Sequence, residues 1–279
     1  MVNNVQPLFD AMLQDRSWQQ PDQWRRRIDM LEQLESWLVH HGDAAETAFK
    51  SRIDTLMREL ETINQQFYQS VRQDIQQGRG AATLLQCAAA TPHDGGEESY
   101  DPLDALLSGV LDLAEPGEVP ELEAEMVFYQ PTPARHIFDF VTRASMTAHD
   151  TVIDLGAGLG HVTLLTAICT PAHCIGIERQ RAYVTSAQQC AQALNVRNAT
   201  FLAQDVRDAH LSEGTLFYLY TPFTGAMLRT VLDMLAREAR RRAIRLCSLG
   251  PCTAVIAQEP WLSTDDDCAP HRATLFRSR

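Results

Sequence analysis

Lysine is almost absent from this chain. Of its 24 basic residues only Lys50 is a lysine, and 36 acids bring the net charge to −12 at pH 7. An acidic chain does not draw a phosphate backbone over long range, so nucleic acid is disfavoured as a partner. The one cluster of cations, Arg237, Arg240, Arg241, Arg242 and Arg245, reads as a solvated helix end leading into a strand. No apolar run reaches the roughly 18 residues that a membrane span needs. The start, Met1 to Pro7, has no basic stretch followed by an apolar one. A cytoplasmic protein with no membrane partner is the expectation. The seven cysteines, Cys87, Cys169, Cys174, Cys190, Cys247, Cys252 and Cys268, are odd in number and irregular for a disulfide framework. Cys169 and Cys174, with His173 between them, lack a second pair to complete four metal ligands. Buried free thiols and no metal are expected.

Apolar residues are plentiful, at 45% of 279 residues, enough for a large core. The first third is patterned for helices. Trp24, Ile28, Leu31, Leu34 and Leu38 recur at helical spacing after Pro21. His41-Gly42-Asp43 reads as a stop and restart, with Asp43 as a helix cap. Phe49, Ile53, Leu56, Leu60, Ile63, Phe67, Val71 and Ile75 then step by three or four, predicting a helix of some thirty residues that ends near Gly78-Arg79-Gly80. The two helices form an antiparallel hairpin by this reading. Their stripe packs within the chain or, in a homodimer, on a second copy. A break follows at Thr91 to Gly96. From Gly80 to Ala134 there are eleven acids and no lysine or arginine. A short helix is expected over Asp101–Leu113, and Glu115 to Pro120 is a linker by composition. The acidic stretch reads as a solvated connector.

After Glu125 the pattern changes. Short apolar runs at Val152–Leu155, Cys174–Glu178, Ala199–Asp205, Leu216–Tyr220 and Ala243–Leu249 read as strands. Helical stretches lie between them at His161–Cys169, Arg181–Leu194 and Gly225–Arg240, and a last strand at His271–Ser278 follows the turn-rich Ser263–Pro270. The alternation predicts an α/β domain over 121–279 with a mostly parallel sheet covered on both faces, preceded by an all-α region over 1–120.

The run Asp154-Leu155-Gly156-Ala157-Gly158-Leu159-Gly160 sits where a strand gives way to a helix. Glycines there let the backbone turn sharply and approach a ligand. A dinucleotide site wants Gly-x-Gly-x-x-Gly, and His161 stands in its third glycine slot. The observed Gly-x-Gly-x-Gly after Asp154 resembles motif I of class I S-adenosylmethionine (SAM)-dependent methyltransferases. Glu178 ends the next strand, where an acid can accept hydrogen bonds from both ribose hydroxyls or serve as the N-terminal acid of the following helix. Asp205 ends the strand after that.

The resemblance covers about Glu125 to the C-terminus. It implies a Rossmann-like seven-stranded sheet with a C-terminal antiparallel strand, a methyltransferase, and SAM as cofactor. It places Asp154, Gly156, Ala157, Gly158 and Gly160 around the cofactor, Glu178 on the ribose, and Asp205 with Val206 at the adenine. The fourth strand and its end, Leu216-Phe217-Tyr218-Leu219-Tyr220-Thr221-Pro222-Phe223, resemble motif IV, beside the methyl group and acceptor. Amino-group methyltransferases often carry Asn or Asp before Pro-Pro and an aromatic there, and here Tyr220 or Thr221 stands in that place. Their hydroxyls, or a backbone carbonyl, are left to orient an acceptor. Tyr129-Gln130-Pro131-Thr132-Pro133 resembles a segment that closes over the methionine end of SAM. Thr132 also reads as the cap of a helix over Ala134–Arg143 with Pro133 at its first position. The layout is further similar to the non-SET histone-lysine methyltransferases. Tyr129, Tyr220, Thr221 and His161 are the candidates for a catalytic role, with no base assigned. A protein side chain or small molecule is the expected acceptor. An idle SAM-binding sensor that acts through its helical hairpin is the alternative, and a nicotinamide oxidoreductase is disfavoured by His161.

Overall fold

The structure, a computed structural model, describes residues 5–41, 47–91, 101–114 and 125–279. The expected cap at Asp43, the Pro92–Gly96 part of the break and the linker at 115–120 lie outside the described residues. Among the described residues no helix is long and apolar enough to cross a membrane. The chain divides into two compact units, one from residues 1–72 and 100–111, the other from 73–99 and 112–279.

The first unit is helical. α1 (Val5–Gln14), α2 (Trp24–His41), α3 (Thr47–Gln76, its last turn counted in the second unit) and α5 (Pro102–Leu111) are its long elements; α4 (Gly80–Ala89) belongs to the second unit. The helical spacing read from the sequence is borne out in α2 and α3, the latter 30 residues long. They run antiparallel: Trp37 meets Phe49 edge-on at 5.5 Å, and Arg27 meets Asn64 farther along. Phe9 and Met12 of α1 join Met30, Leu34, Ile53, Leu56 and Leu60 in one buried cluster, so the stripe packs within the chain. Apolar burial drives this at roughly 25 cal/mol per Å². Beneath it lies a fully buried cation. Arg27 donates from Nε to Asn64 Oδ1 at 2.7 Å, and from its other nitrogens to the carbonyls of Trp18, Gln20 and Pro21. α1 and α4 are additions to the sequence reading. The Asp101–Leu113 expectation is met by α5.

The second unit is α/β. Its seven strands are β1 (Thr151–Leu155), β2 (His173–Glu178), β3 (Ala199–Ala203), β4 (Leu216–Tyr220), β5 (Arg245–Leu249), β6 (Leu262–Ser263) and β7 (Thr274–Ser278). They lie in the order β3-β2-β1-β4-β5-β7-β6, and β7 runs against its neighbours. The helices α6 (Ala134–Arg143), α7 (His161–Cys169), α8 (Arg181–Ala193), α9 (Gly225–Ala239) and α10 (Cys252–Ile256) complete it. One sheet face presents Ile153, Leu155, Phe217 and Leu219 to Val231, Leu232 and Leu235 of α9. Alternation puts Asp154 and Tyr218, paired across β1 and β4, on the opposite face. There Phe140 of α6 lies 5.1 Å from the Tyr218 ring and Thr163 of α7 bonds Asp154. In the arginine cluster Arg237, Arg240 and Arg241 are exposed, as a solvated helix end should be, while Arg242 donates to the carbonyls of Leu211 and Ser212, and Arg245 to Asp150 at 2.6 Å and to the Ala144 carbonyl. The seven thiols are free; burial pushes Cys87 up to about 11 and Cys169 up to about 12.

Candidate active site

The strand order reverses between β1 and β4, and open α/β sheets bind ligands in the crevice at such a reversal, beyond the carboxyl ends of the strands. A cavity of about 480 Å³ lies there, within the range of small-molecule sites. Its walls come from the ends of β1 to β4, the loops after them, and a lead segment over 126–132.

The glycine loop leaves β1 with Gly156, Gly158 and Gly160 at φ of 89°, 53° and 84°, a region side chains disfavour. Four of its amides are already used. Those of Gly156 and Ala157 donate to the Ile177 carbonyl at 2.9 and 3.0 Å, that of Gly158 to Glu178 Oε2 at 2.9 Å, and that of Gly160 to the Ala157 carbonyl at 2.8 Å. A pyrophosphate would need such amides to face it. Those four amides are turned into the fold, which counts with His161 against a dinucleotide.

Acids ring the cavity instead. Asp154 is buried and accepts from Thr163 Oγ1 at 2.9 Å; burial, with the nearby Glu178 charge, raises its carboxyl to about 7. Glu178 takes the Gly158 amide on one oxygen and the Gln180 amide, at 2.7 Å, on the other. Asp205 caps a short turn through the Arg207 amide and is clasped by the Arg207 guanidinium at 2.9 and 2.6 Å; those bonds hold its carboxyl below the usual range.

The lead segment is laced to the turn after β4. Val127 N donates to the Pro222 carbonyl, Thr224 N to the Glu125 carbonyl, and the Glu125 carboxylate accepts the first amides of α9 from Ala226 and Met227. Tyr129 then lies over Gly158, where an added Cβ would come 2.0 Å from its ring. Its hydroxyl meets His161 Nδ1 at 3.1 Å, and burial lowers His161 to about 4, leaving the imidazole neutral at physiological pH.

The family model described as "Methyltransferase domain" matches residues 146–217, and the sheet order and single reversed strand are those expected of the class I fold. The chain carries a class I methyltransferase domain. No curated protein sequence matches it. Among solved structures, the domain is similar to an RNA methyltransferase from Salinibacter ruber in complex with S-adenosyl-L-homocysteine, at 22% identity over 53% of this chain and 92% of that one, with a TM-score of 0.44. A tRNA (uracil-54, C5)-methyltransferase of Pyrococcus abyssi, also in complex with S-adenosyl-L-homocysteine, is similar at 18% identity over 54% of this chain and 39% of that one, with a TM-score of 0.40. A methyltransferase from Geobacter sulfurreducens is similar at 14% identity over 46% and 70%, with a TM-score of 0.37.

The cavity of the methyltransferase domain brings together all the residues singled out in the sequence for cofactor binding except Gly158 and Gly160. Gly160 instead faces Phe201 and Ala187, and an added Cβ there would come 2.6 Å from the Phe201 ring. Its small size serves helix–strand packing. Two further expectations are corrected. Thr132 does not cap α6: Pro133 occupies the cap position without a side-chain bond, and Thr132 is buried against the cavity. The Thr221 hydroxyl does not face an acceptor, for it donates to the Leu249 carbonyl at 3.0 Å and accepts from the Cys252 amide at 3.1 Å. Those bonds hold Thr221 at φ 38°, an uncommon conformation for a β-branched residue. Only its backbone carbonyl is left for an acceptor. Phe128, Gln180, Tyr183, Gln204, Tyr218 and Phe223 also line the cavity. Phe128, Tyr218 and Phe223 belong to the stretches that carry the resemblance, without a role of their own but for Phe223; Gln180, just after the strand-ending acid, carries a usable positional signal.

Gly156 offers a direct test of the loop. A Cβ there would stand 2.3 Å from Pro222 Cβ, at a φ of 89°. Gly156→Ala is expected to cost about 3 kcal/mol, from left-handed strain plus overpacking, and to weaken ligand binding at least tenfold. Thermal unfolding and calorimetry read both effects.

Proposed function

We propose that the protein transfers the methyl group of SAM to an acceptor that is a small molecule or a protein side chain. The observation that carries this reading is the charge of the cavity: two acids, Asp154 and Glu178, at adjoining strand ends, with four amides of the glycine loop bonded within the fold. Such a site suits a cationic nucleoside and repels a pyrophosphate. Bound SAM supplies an activated methyl group on a sulfonium, a good leaving group. Glu178 would hold the ribose hydroxyls with its remaining lone pairs, and Ala157, Asp205 and Val206 would border the adenine. Tyr129 and Thr132 would close over the methionine end. The chain's own part in the reaction is alignment and exclusion of water. Tyr220, Thr221, Pro222, Phe223, Phe128 and Met227 make the remaining wall apolar and aromatic, which suits an uncharged acceptor. His161 is neutral but engaged by Tyr129, so an amine acceptor would lose its proton before reaching the methyl group.

Arg179 is the one arginine or lysine among the described lining residues, and the net charge is −12. Both support placing nucleic acid behind the other acceptors. The inward-turned Thr221 hydroxyl supports a second reading, a SAM-binding sensor that performs no transfer. Incubation with methyl-labelled SAM and a cell extract distinguishes them. Label entering protein or small molecules is expected. Label in RNA would overturn the acceptor class, and no transfer with intact binding would favour the sensor.

A further inference from the structure

One polar atom at the cavity has no role in the motifs. The hydroxyl of Tyr218 is fully buried and, among the described residues, has no hydrogen-bond partner. Thr132 and Asp154 are its polar neighbours; the Thr132 hydroxyl lies against it without completing a bond of good geometry. Tyr218 nevertheless lines the cavity, as do both neighbours. A phenol closed off from water and left unpaired is costly, and buried hydroxyls nearly always find a partner. Nothing in the packing requires the oxygen, for a phenylalanine ring would fill the same space beside Phe140.

The place of this hydroxyl along the sheet edge tells what could satisfy it. Asp205, Glu178, Asp154 and Tyr218 stand on β3, β2, β1 and β4 or just past their ends, in the order of the sheet. A nucleoside held by the first two lays its far end over the last two. In an S-adenosyl donor that far end is an amino acid, with one ammonium and one carboxylate. Asp154 is the buried acid there. The one arginine of the lining, Arg179, follows Glu178 on the other side of Asp154, so no cationic side chain of the lining meets the carboxylate.

Resting on the methyl-donor reading above, we propose that the Tyr218 phenol, with the Thr132 hydroxyl, donates to the α-carboxylate of the donor while Asp154 takes its ammonium. The zwitterion is then read by neutral donors and one acid. The ligand shifts the Thr132 side chain to reach the phenol, and the unpaired hydroxyl gains its partner only in the complex. Tyr218 is a specificity-determining residue for the amino-acid end, invisible to the nucleoside end.

Calorimetry with SAM and with 5′-methylthioadenosine, which keeps the nucleoside and lacks the amino acid, tests this on the full chain. Tyr218→Phe is expected to weaken SAM about tenfold, in the range of a lost hydrogen bond to a charged group, and to leave methylthioadenosine within twofold. Thr132→Val should show the same pattern. The free Tyr218→Phe protein should melt about 3 °C higher, because an unpaired buried hydroxyl has been removed. Equal losses for both ligands, no loss for SAM, or a lower melting temperature of the free variant would each overturn the proposal while leaving the methyl-donor reading intact. Failure of the native protein to bind SAM would remove that reading and this one together.

Discussion

An Asp154→Asn variant is expected to bind SAM roughly 100-fold more weakly than the native chain at pH 8 and yet to be the more stable protein when free. Both effects come from one buried carboxyl. Burial raises it from 3.8 to about 7, with the Glu178 charge adding to the rise and the Thr163 bond opposing it. A carboxyl whose folded value lies above its unfolded value holds its proton longer in the folded state. The contribution of this carboxyl to stability is therefore full below about pH 4, falls as pH rises between about 4 and 7, and levels off above. The loss is at most roughly 4 kcal/mol. Asparagine keeps an oxygen for Thr163 and carries no charge, so it escapes this penalty. Its advantage should be about 5–10 °C at pH 8 and should shrink towards pH 5, where the native carboxyl is already neutral. For the ligand the sign reverses. A cationic donor needs the ionised carboxylate, so native affinity should climb with pH through about 7, with a proton released on binding, and the variant should show neither trend. Melting curves and calorimetry in buffers of different ionisation enthalpy measure all of this. Variant affinity equal to the native value at pH 8 would remove Asp154 from the ligand.

The second large effect lies in the helical unit. Arg27→Ala should destabilise that unit by about 4 kcal/mol. It strips the partner from the Trp18 carbonyl and Asn64 Oδ1, buried groups that each cost about 1–3 kcal/mol when unpaired, and from the part-buried carbonyls of Gln20 and Pro21. It also leaves a cavity beside Trp18. Arg27→Lys should recover only part, since an ammonium on a shorter stem cannot span the same fork of acceptors. Burial already lowers the arginine below its ordinary value, but not enough to uncharge it at pH 7. Circular dichroism in urea should show the early loss of helix in the alanine variant. A denaturation midpoint within error of the native one would mean that water enters to satisfy the carbonyls.

The two largest patterns of the fold were legible because they are periodic or punctuated. α3 declared itself by eight apolar residues at helical steps, and β1, β2 and β4 by short apolar runs that end in Gly156, Glu178 and Thr221. α4 was not legible. Gly80 to Ala89 is small or apolar nearly all round, so it has no polar face to set a period. α1 carries Pro7 in its first turn, where a missing amide is tolerated, and in a sequence that proline reads as a break. At the site, motif residues reached the cavity because strand ends share an edge. What failed was the direction of side chains. Thr221 looked like an acceptor-facing hydroxyl, and only the positions of Leu249 and Cys252, 28 and 31 residues on, show that it turns inward. Thr132 followed the pattern of a cap but lies one residue too early. Tyr218 read as one more aromatic of a buried strand, since spacing cannot show which buried hydroxyl is left without a partner.

The neighbouring of β1 and β4 has a consequence for how the chain reaches its native state. The two strands that frame the cavity pair residues 64 positions apart in the chain, whereas α2 ends at His41 and α3 begins at Thr47, six positions on. Bringing distant segments together costs loop entropy before any contact repays it, so local helical pairs form fast and non-local parallel strands late. The cleft is thus a late product of folding. β2 and β3, with their helices, lie within the loop that the β1–β4 pairing closes, and the cleft stands complete only when that pairing forms.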